Sequence, residues 1–580
     1  MASGGSKTRE AAAIGTSAAA EEPARSLIPE AFRPDEPGKA TFQARNPATG
    51  SLLPTVACSA SSDEVRAAGD AAWAAFQDAL RMDDEQRALM LEEIANAVRL
   101  LGDDLTKLAT KETGFSAVRI VAERERLVAT LRMFAGLVRA RPWSDPSIDT
   151  AEPSRRPLPK PDLRRVRRPL GPVVVLGPAN QPLTAGCLGA DAASVLAAGC
   201  PIVAVAHHEH PMTDAMIAGA AIDACRHAGA PEGMVTLLHA AEDRVGGVVD
   251  ELVEHHAIRG VAFTGRRRTA DRIAQRVAAY APGVRLHASI GTINPVFVLP
   301  GALESNTDGV AERLFRACTN VAGQTCTRPS VVVVPRGAPG QKFVGQLASL
   351  FDQLPASRMR SLRVRTSFLE ELGRCLDTPG VRLEGGSHYA QEAEADGPAT
   401  AHGCLLRCSA GVFADSRTLH DEMFGPVLLA VVADDEEDLL GAAASVGGAL
   451  TASMWMSSSD SKLCHKLAAI LEHRAGRLVF NASPTGLELC TSLVHAGPYP
   501  ASLGEGRTAV GPAAATRWLR DVSYQNAPEA LLPRELRTAN PLEIPRIVNG
   551  ELIDPTDADR DDEGDAGEAA GPSGDAARAA

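Results

Sequence analysis

Four short blocks hold most of the side chains in this chain that could do chemistry. Gly323-Gln324-Thr325-Cys326-Thr327 places a cysteine just after a helical segment. A thiolate there would be a nucleophile, although a lone cysteine more often packs as a small apolar group in a core. The Gly-Gln-x-Cys-Thr context favours the nucleophile, and Cys318, eight residues earlier without it, reads as core. Gly177-Pro178-Ala179-Asn180-Gln181-Pro182 follows a short apolar run. An asparagine amide at the carboxyl end of a buried strand can stabilise a developing oxyanion, against the commoner reading of a turn asparagine between prolines. Glu422-Met423-Phe424-Gly425-Pro426 sets a carboxylate two residues from an aromatic ring, and Phe263-Thr264-Gly265 runs into Arg266-Arg267-Arg268. No GxGxxG follows any strand-like run, so a dinucleotide site of the ordinary kind is not announced.

The elements that would position these blocks are legible around them. Residues 173–176, 202–206, 234–238 and 257–263 are short apolar runs suited to buried parallel strands, with crossover helices at 188–198 and 214–227. Alternating units of this kind predict a doubly wound sheet with helices on both faces. A second αβ region starts near Asn294, with strands at 295–299, 330–334, 427–432 and 477–480. Upstream, Ser61-x-x-Glu64 has capping-box spacing before the helical stripe Val65, Ala68, Ala72, Phe76; a second stripe follows at Leu91, Ile94, Val98, Leu101. The proline- and charge-rich segment 145–162 reads as a linker or exposed hairpin.

Composition narrows the class. The net charge of −13 argues against a nucleic-acid partner, whose phosphates attract basic surfaces. Eleven cysteines without a CxxC pair suit a reducing cytoplasm, with buried thiols and room for one reactive one. No apolar run is long enough for a secretory signal or a membrane span, so a cytoplasmic protein is expected. Residues 1–40 and 554–580, poor in large apolar residues, are expected to be disordered tails.

The four blocks, in this order, resemble the aldehyde dehydrogenase superfamily. Asn46-Pro47-Ala48-Thr49-Gly50, the run from Ile293 to Leu303, His495-Ala496-Gly497-Pro498-Tyr499-Pro500-Ala501 and Tyr524-Gln525-Asn526 resemble its NADP-preferring α-ketoglutarate semialdehyde (2,5-dioxovalerate) dehydrogenases. The match covers about residues 42–552. It implies an α/β fold with a Rossmann-like NAD(P)-binding domain over 41–291, its hairpin near 153–162 joining in oligomerisation. A catalytic αβ domain over 292–500 and a C-terminal oligomerisation segment over 501–553 would complete it. It implies a small aldehyde substrate, NADP or NAD as cofactor, no metal, and a homodimer or homotetramer. Cys326 would form a thiohemiacetal and then a thioester, with Asn180 and the Cys326 N–H holding the oxyanion. Pro178, Gly265 and Gly291 would lie against the cofactor, Glu422 would take the nicotinamide ribose, and Phe424 would pack near the ring.

Three positions depart from the family pattern. Its general-base glutamate, two residues before Gly291, is Ser289 here, which slows water attack on the thioester by ~10²–10⁴-fold. Glu488 and Glu505 are distant acids whose segments could approach. A lysine expected near the adenosine ribose is Val205, followed by His207, His208 and His210, of which a protonated His207 or His208 could meet a phosphate. Arg266 replaces a small residue near the diphosphate, so the arginines could attract that group, block it, or form a solvated cap. Two alternatives stand beside aldehyde oxidation to the acid: acyl transfer to a thiol or phosphate acceptor, and a catalytically silent homologue serving as a binding or scaffold protein.

Overall fold

The computed structural model describes residues 22–36, 38–291, 293–390 and 399–555. Two large sheets form the body. The first runs Ser502–Leu503, Arg285–Ile290, Gly260–Gly265, Val173–Leu176, Ile202–Val205, Val235–Leu238 in spatial order, parallel except for the first strand. Its four-residue strands Val173–Leu176, Ile202–Val205 and Val235–Leu238 are buried along their whole length, which is why they read as unbroken apolar runs. Chain direction across the sheet reverses between Val173–Leu176 and Gly260–Gly265, making a switch point at their carboxyl ends.

The second sheet has seven strands, ordered Arg382–Gly385, Cys404–Ser409, Val427–Ala433, Val331–Pro335, Val296–Val298, Ala449–Trp455, Ala475–Phe480. All pair in parallel except the first two. A third, five-stranded sheet joins Leu519–Gln525, Leu163–Pro169, Ser147–Asp149, Arg546–Val548 and Glu551–Ile553.

Local rules account for the first helices. Ser62–Ala79 starts at a full capping box, with Ser61 Oγ accepting from the Glu64 N–H at 3.2 Å and Glu64 Oε2 accepting from the Ser61 N–H at 2.9 Å. Its stripe Val65, Ala68, Ala72, Phe76 is buried. In the following helix, Asp84–Leu100, Leu91, Ile94 and Val98 are buried, whereas Leu101 is its half-buried cap.

Several expectations need correction. The stretch before residue 40 is not disordered throughout: Ala24 bridges to Ala57, Leu27 to Leu237, and Ile28 is buried, because a short extended segment satisfies the exposed edge at Val235–Leu238. Residues 1–21 and 556–580 lie outside the described residues. Segment 145–162 is neither pure linker nor pure hairpin, since it holds the strand Ser147–Asp149 before a turn closed by Glu152 and Lys160. The crossover helices begin at Ala190 and Pro211, and residues 181–189 turn instead. Ser502–Leu503 belongs to the edge of the first sheet and not to the C-terminal arm. No described helix is long and apolar enough to cross a membrane.

Candidate active site

Cys326, Asn294 and Glu422 precede the strands Val331–Pro335, Val296–Val298 and Val427–Ala433, at the amino ends of the second sheet. Pro178 and Gly265 sit at the carboxyl ends of the first. The two sets meet around one cavity of about 1370 Å³, lined by Pro178, Asn180, Gly265, Ser289, Gly291, Cys326, Glu422 and Phe424. Every residue predicted to carry the site therefore reaches the same space, with Val205, His207, His208 and Arg266 along its wall.

The cysteine loop is pinned from several sides. Asn294 sits in the left-handed region at φ 39°, which asparagine tolerates, and donates Nδ2–H to Cys326 O at 2.8 Å and Arg328 O at 3.1 Å. Its Oδ1 accepts from the Thr451 N–H at 3.2 Å. Just before the cysteine, Val321, Ala322 and Gly323 have φ of 55°, 52° and 68°. A β-branched residue held there is strained, a condition that gathers at functional sites. Gly323 is required: a Cβ would meet Gly425 O at 2.1 Å, so the cysteine block and the Glu422 block are packed backbone to backbone. Arg328, buried, ties the same two blocks by donating to Met423 O at 2.5 Å and Val427 O at 2.6 Å.

Nine of the eleven cysteines are buried, Cys318 among them; Cys490 is exposed, and Cys326 is half-buried facing the cavity. Burial, then the Glu422 charge, push the Cys326 thiol up to about 11, while backbone N–H groups and Arg477 pull the other way. The resting group is thus a thiol. His495 Nε2 lies 3.7 Å from Cys326 Sγ, and Nδ1 of that ring is buried without a hydrogen-bond partner. Burial, helped by Arg477 and Arg126, pushes His495 down to about 4, leaving it neutral. Its backbone is held by Thr508 Oγ1, which accepts the His495 N–H at 2.9 Å. The residue-by-residue reading did not single out His495; the only sequence signal was its place in the His495-Ala496-Gly497-Pro498 block.

Asn180 donates Nδ2–H to Gln324 O at 2.9 Å, which stations the amide beside the cysteine loop, and its own carbonyl accepts from Arg119. Glu422 is raised to about 7 by burial, with Glu371 adding to the rise and Arg328 and Arg266 opposing it. Ser289 lines the cavity from the strand Arg285–Ile290, paired to Ser502 on one side and Thr264 on the other. Of the two distant acids, Glu488 is exposed and Glu505 pairs with Arg507 at 2.8 Å, and neither lines the cavity, whose acids include Glu123, Asp191, Glu209 and Glu422.

The switch-point half of the cavity fits a dinucleotide. The helix Arg267–Tyr280 begins there with no side-chain cap on its first N–H groups, leaving an anion-binding end. Gly177 lets the turn after Val173–Leu176 close on Ala185 O, which a Cβ would meet at 2.5 Å. Arg266 turns towards Ser367, whose Oγ it reaches at 2.7 Å, and Arg267 donates to the Tyr499 hydroxyl at 3.1 Å. The histidines do not supply positive charge, since burial pushes both His207 and His208 down. His210 Nδ1 is 3.3 Å from Asp214 Oδ2, within the core. Elsewhere, Asp70, His255 and His256 stand within ligand reach of one another. His255 Nδ1 accepts the Ala257 N–H at 3.2 Å, however, so the neutral ring carries its proton on Nε2, the nitrogen facing Asp70.

Comparison with known proteins finds relatives both in sequence and in fold. A sequence profile described as "Aldehyde dehydrogenase family" matches residues 32–497. "Alpha-ketoglutaric semialdehyde dehydrogenase 2" of Azospirillum brasilense is 36% identical over 513 residues, spanning 88% of this chain and 96% of the relative. "Alpha-ketoglutaric semialdehyde dehydrogenase" of Acinetobacter baylyi is 34% identical, over 85% of this chain and 92% of its own. In fold, the crystal structure of lactaldehyde dehydrogenase from Escherichia coli superposes with a TM-score of 0.73 at 19% identity, covering 87% of this chain and 99% of that one.

Proposed function

Since the chain belongs to the aldehyde dehydrogenase family and is an NAD(P)-dependent aldehyde dehydrogenase, we propose that it oxidises a small semialdehyde of the α-ketoglutarate semialdehyde type to the acid, with a slow final hydrolysis. The observation that carries this reading is the Cys326 Sγ to His495 Nε2 approach of 3.7 Å, inside the cavity that Asn180 and Glu422 share. The two relatives above bear that substrate in their names.

Thiol and imidazole are both neutral at rest. As sulfur bonds to the aldehyde carbon the proton leaves Cys326, and His495 Nε2, 3.7 Å away, is within reach to accept it as a weak base held down to about 4. The Asn180 amide and the Cys326 N–H take the oxyanion of the thiohemiacetal. Pro178, Gly265, Gly291, Glu422, Phe424 and the free end of the helix Arg267–Tyr280 hold NADP or NAD. Bound NAD(P)⁺ supplies the hydride acceptor. Cys326 is then a thioester, which water must cleave with a serine hydroxyl where a carboxylate base would stand. That substitution slows release by ~10²–10⁴-fold. The five-stranded sheet, whose last strand Glu551–Ile553 exposes Leu552, serves as the arm for subunit contacts in a homodimer or homotetramer.

Rapid mixing of protein and NAD(P)⁺ with α-ketoglutarate semialdehyde tests the reading through nicotinamide absorbance. A burst near one equivalent per site, slow turnover afterwards and loss of both in Cys326→Ala are expected. No burst with either cofactor would sink it in favour of the silent homologue, and a release step sped by added thiol or phosphate would reassign the acyl acceptor.

A further inference from the structure

Two arginines, Arg126 and Arg477, carry charges that act on His495 beside the thiol. Arg126, on the helix Ala117–Ala140, lines the cavity and donates Nη2–H to Leu487 O at 2.7 Å. Arg477, on the edge strand Ala475–Phe480, donates to Pro484 O at 2.5 Å and Gly486 O at 3.2 Å. Both therefore bond the segment 484–487, of which Thr485, Gly486 and Leu487 face the cavity. Neither guanidinium has a carboxylate partner among the described residues. Arg119, one helical turn and more away on the same helix, does, pairing with Glu123 at 3.0 Å. The charges of Arg126 and Arg477 both act on His495, and that of Arg477 on Cys326.

Arg126 stands on the side of the 484–487 segment, whereas Glu422 stands on the side of Gly291 and the switch point, where Arg266 acts on it. In a chain of net charge −13, an unpaired guanidinium lining a site is an unusual asset for an uncharged substrate and an apt one for an anion. Arg126 spends a single N–H on Leu487, and its remaining donors are unassigned, enough for a carboxylate.

Resting on the reading of this cavity as an aldehyde site, we propose that Arg126 anchors the substrate through a carboxylate at the end remote from the aldehyde. The enzyme then selects carboxyl-terminated semialdehydes over uncharged aldehydes of equal length. Arg477 supports this from behind the segment by fixing the carbonyls of Pro484 and Gly486, and so is a positioning residue.

The test compares kcat/KM for glutaric semialdehyde and for pentanal in the wild type, Arg126→Met and Arg126→Lys. Arg126→Met should lower the ratio of the two by ~10–100-fold, the range of a charge-assisted hydrogen bond, with Arg126→Lys recovering part of it. An equal loss on both aldehydes leaves the ratio unchanged and would overturn the anchor, reducing Arg126 to a tie for Leu487. A second readout needs no turnover: glutarate should protect Cys326 from iodoacetamide in the wild type and not in Arg126→Met. Protection failing in the wild type overturns the anchor even if aldehydes are oxidised. Protection without any aldehyde oxidation keeps the anchor and sinks the proposed reaction instead.

Discussion

The Glu422 carboxylate occupies the space a side chain on Gly291 would need: a Cβ built there falls 1.6 Å from Glu422 Oε2. Gly291 follows the strand Arg285–Ile290 of the first sheet and Glu422 precedes the strand Val427–Ala433 of the second, so this one contact joins the two halves of the cavity. It also brings a carboxylate that titrates at about 7 close enough to act on the nucleophile.

Glu422→Gln should therefore make Cys326 more reactive in the cofactor-free protein. The thiol is raised by burial first and by the Glu422 charge second, and only the second is removed. At about pH 9, iodoacetamide should modify the variant faster than the wild type, as expected when the thiolate is the reacting form. Well below about 7 Glu422 is protonated in the wild type, so the two rates should converge. Equal rates at high pH would show that Glu422 does not act on the sulfur.

His495→Asn should slow the burst by up to ~10²-fold, the low end for a positioned base, because His495 is held down to about 4. Cofactor binding, followed by nicotinamide-dependent quenching of protein fluorescence, should be retained. A burst of normal rate would show that the proton leaves Cys326 by another route.

Ser289→Glu restores a carboxylate to the cavity wall. Steady-state turnover should rise towards the burst rate, by up to ~10²–10⁴-fold, while the burst itself changes little. If turnover stays slow, the restriction lies in product release and not in the missing base.

His287→Gln should flatten the pH dependence of stability. Burial first, then Arg517 and Arg285, push His287 down to about 3, against ~6.5 in the unfolded chain. Between those values the unfolded state takes up a proton that the native state refuses, so the native state loses stability as pH falls, by ~1.4 kcal/mol per unit. Urea midpoints between pH ~4 and ~6 should shift less in the variant, and an identical slope would contradict a neutral buried His287.

How much of this was legible in the sequence follows from local contrast. The strands Val173–Leu176 and Val331–Pro335 are short valine- and leucine-rich runs, buried but for Pro335, the pattern of strands covered on both faces. Arg285–Ile290, which carries Ser289, alternates charged, polar and apolar residues because Arg285 reaches Leu519 O at 2.7 Å and His287 stands edge-on to Trp518. Those partners lie more than 200 residues away, and no window shows them. Leu163–Pro169 is richer still in arginine; its charges are met by Asp145, Asp162, Asp521 and Glu535, so it forms a strand that no hydrophobic pattern predicts. The site residues that sit in Gly- and Pro-marked blocks could be placed from their neighbours. Arg126, in no such block, could not, and His495 lay in one without its neighbours showing a role, because each meets the cavity through segments far apart along the chain.

The pairing of Ser502 with Ser289 has a consequence for synthesis. The sheet that starts at Val173 is closed along one edge only when residues 502–503 arrive, and Leu163–Pro169 waits for Leu519–Gln525. Contacts of such sequence separation form late and slowly. A ribosome-bound chain short of residue 500 thus carries Cys326 and Glu422 but neither the finished wall beneath Ser289 nor the Thr508 hydroxyl that seats His495. Premature termination yields no half-working enzyme, only an open sheet edge exposed to aggregation.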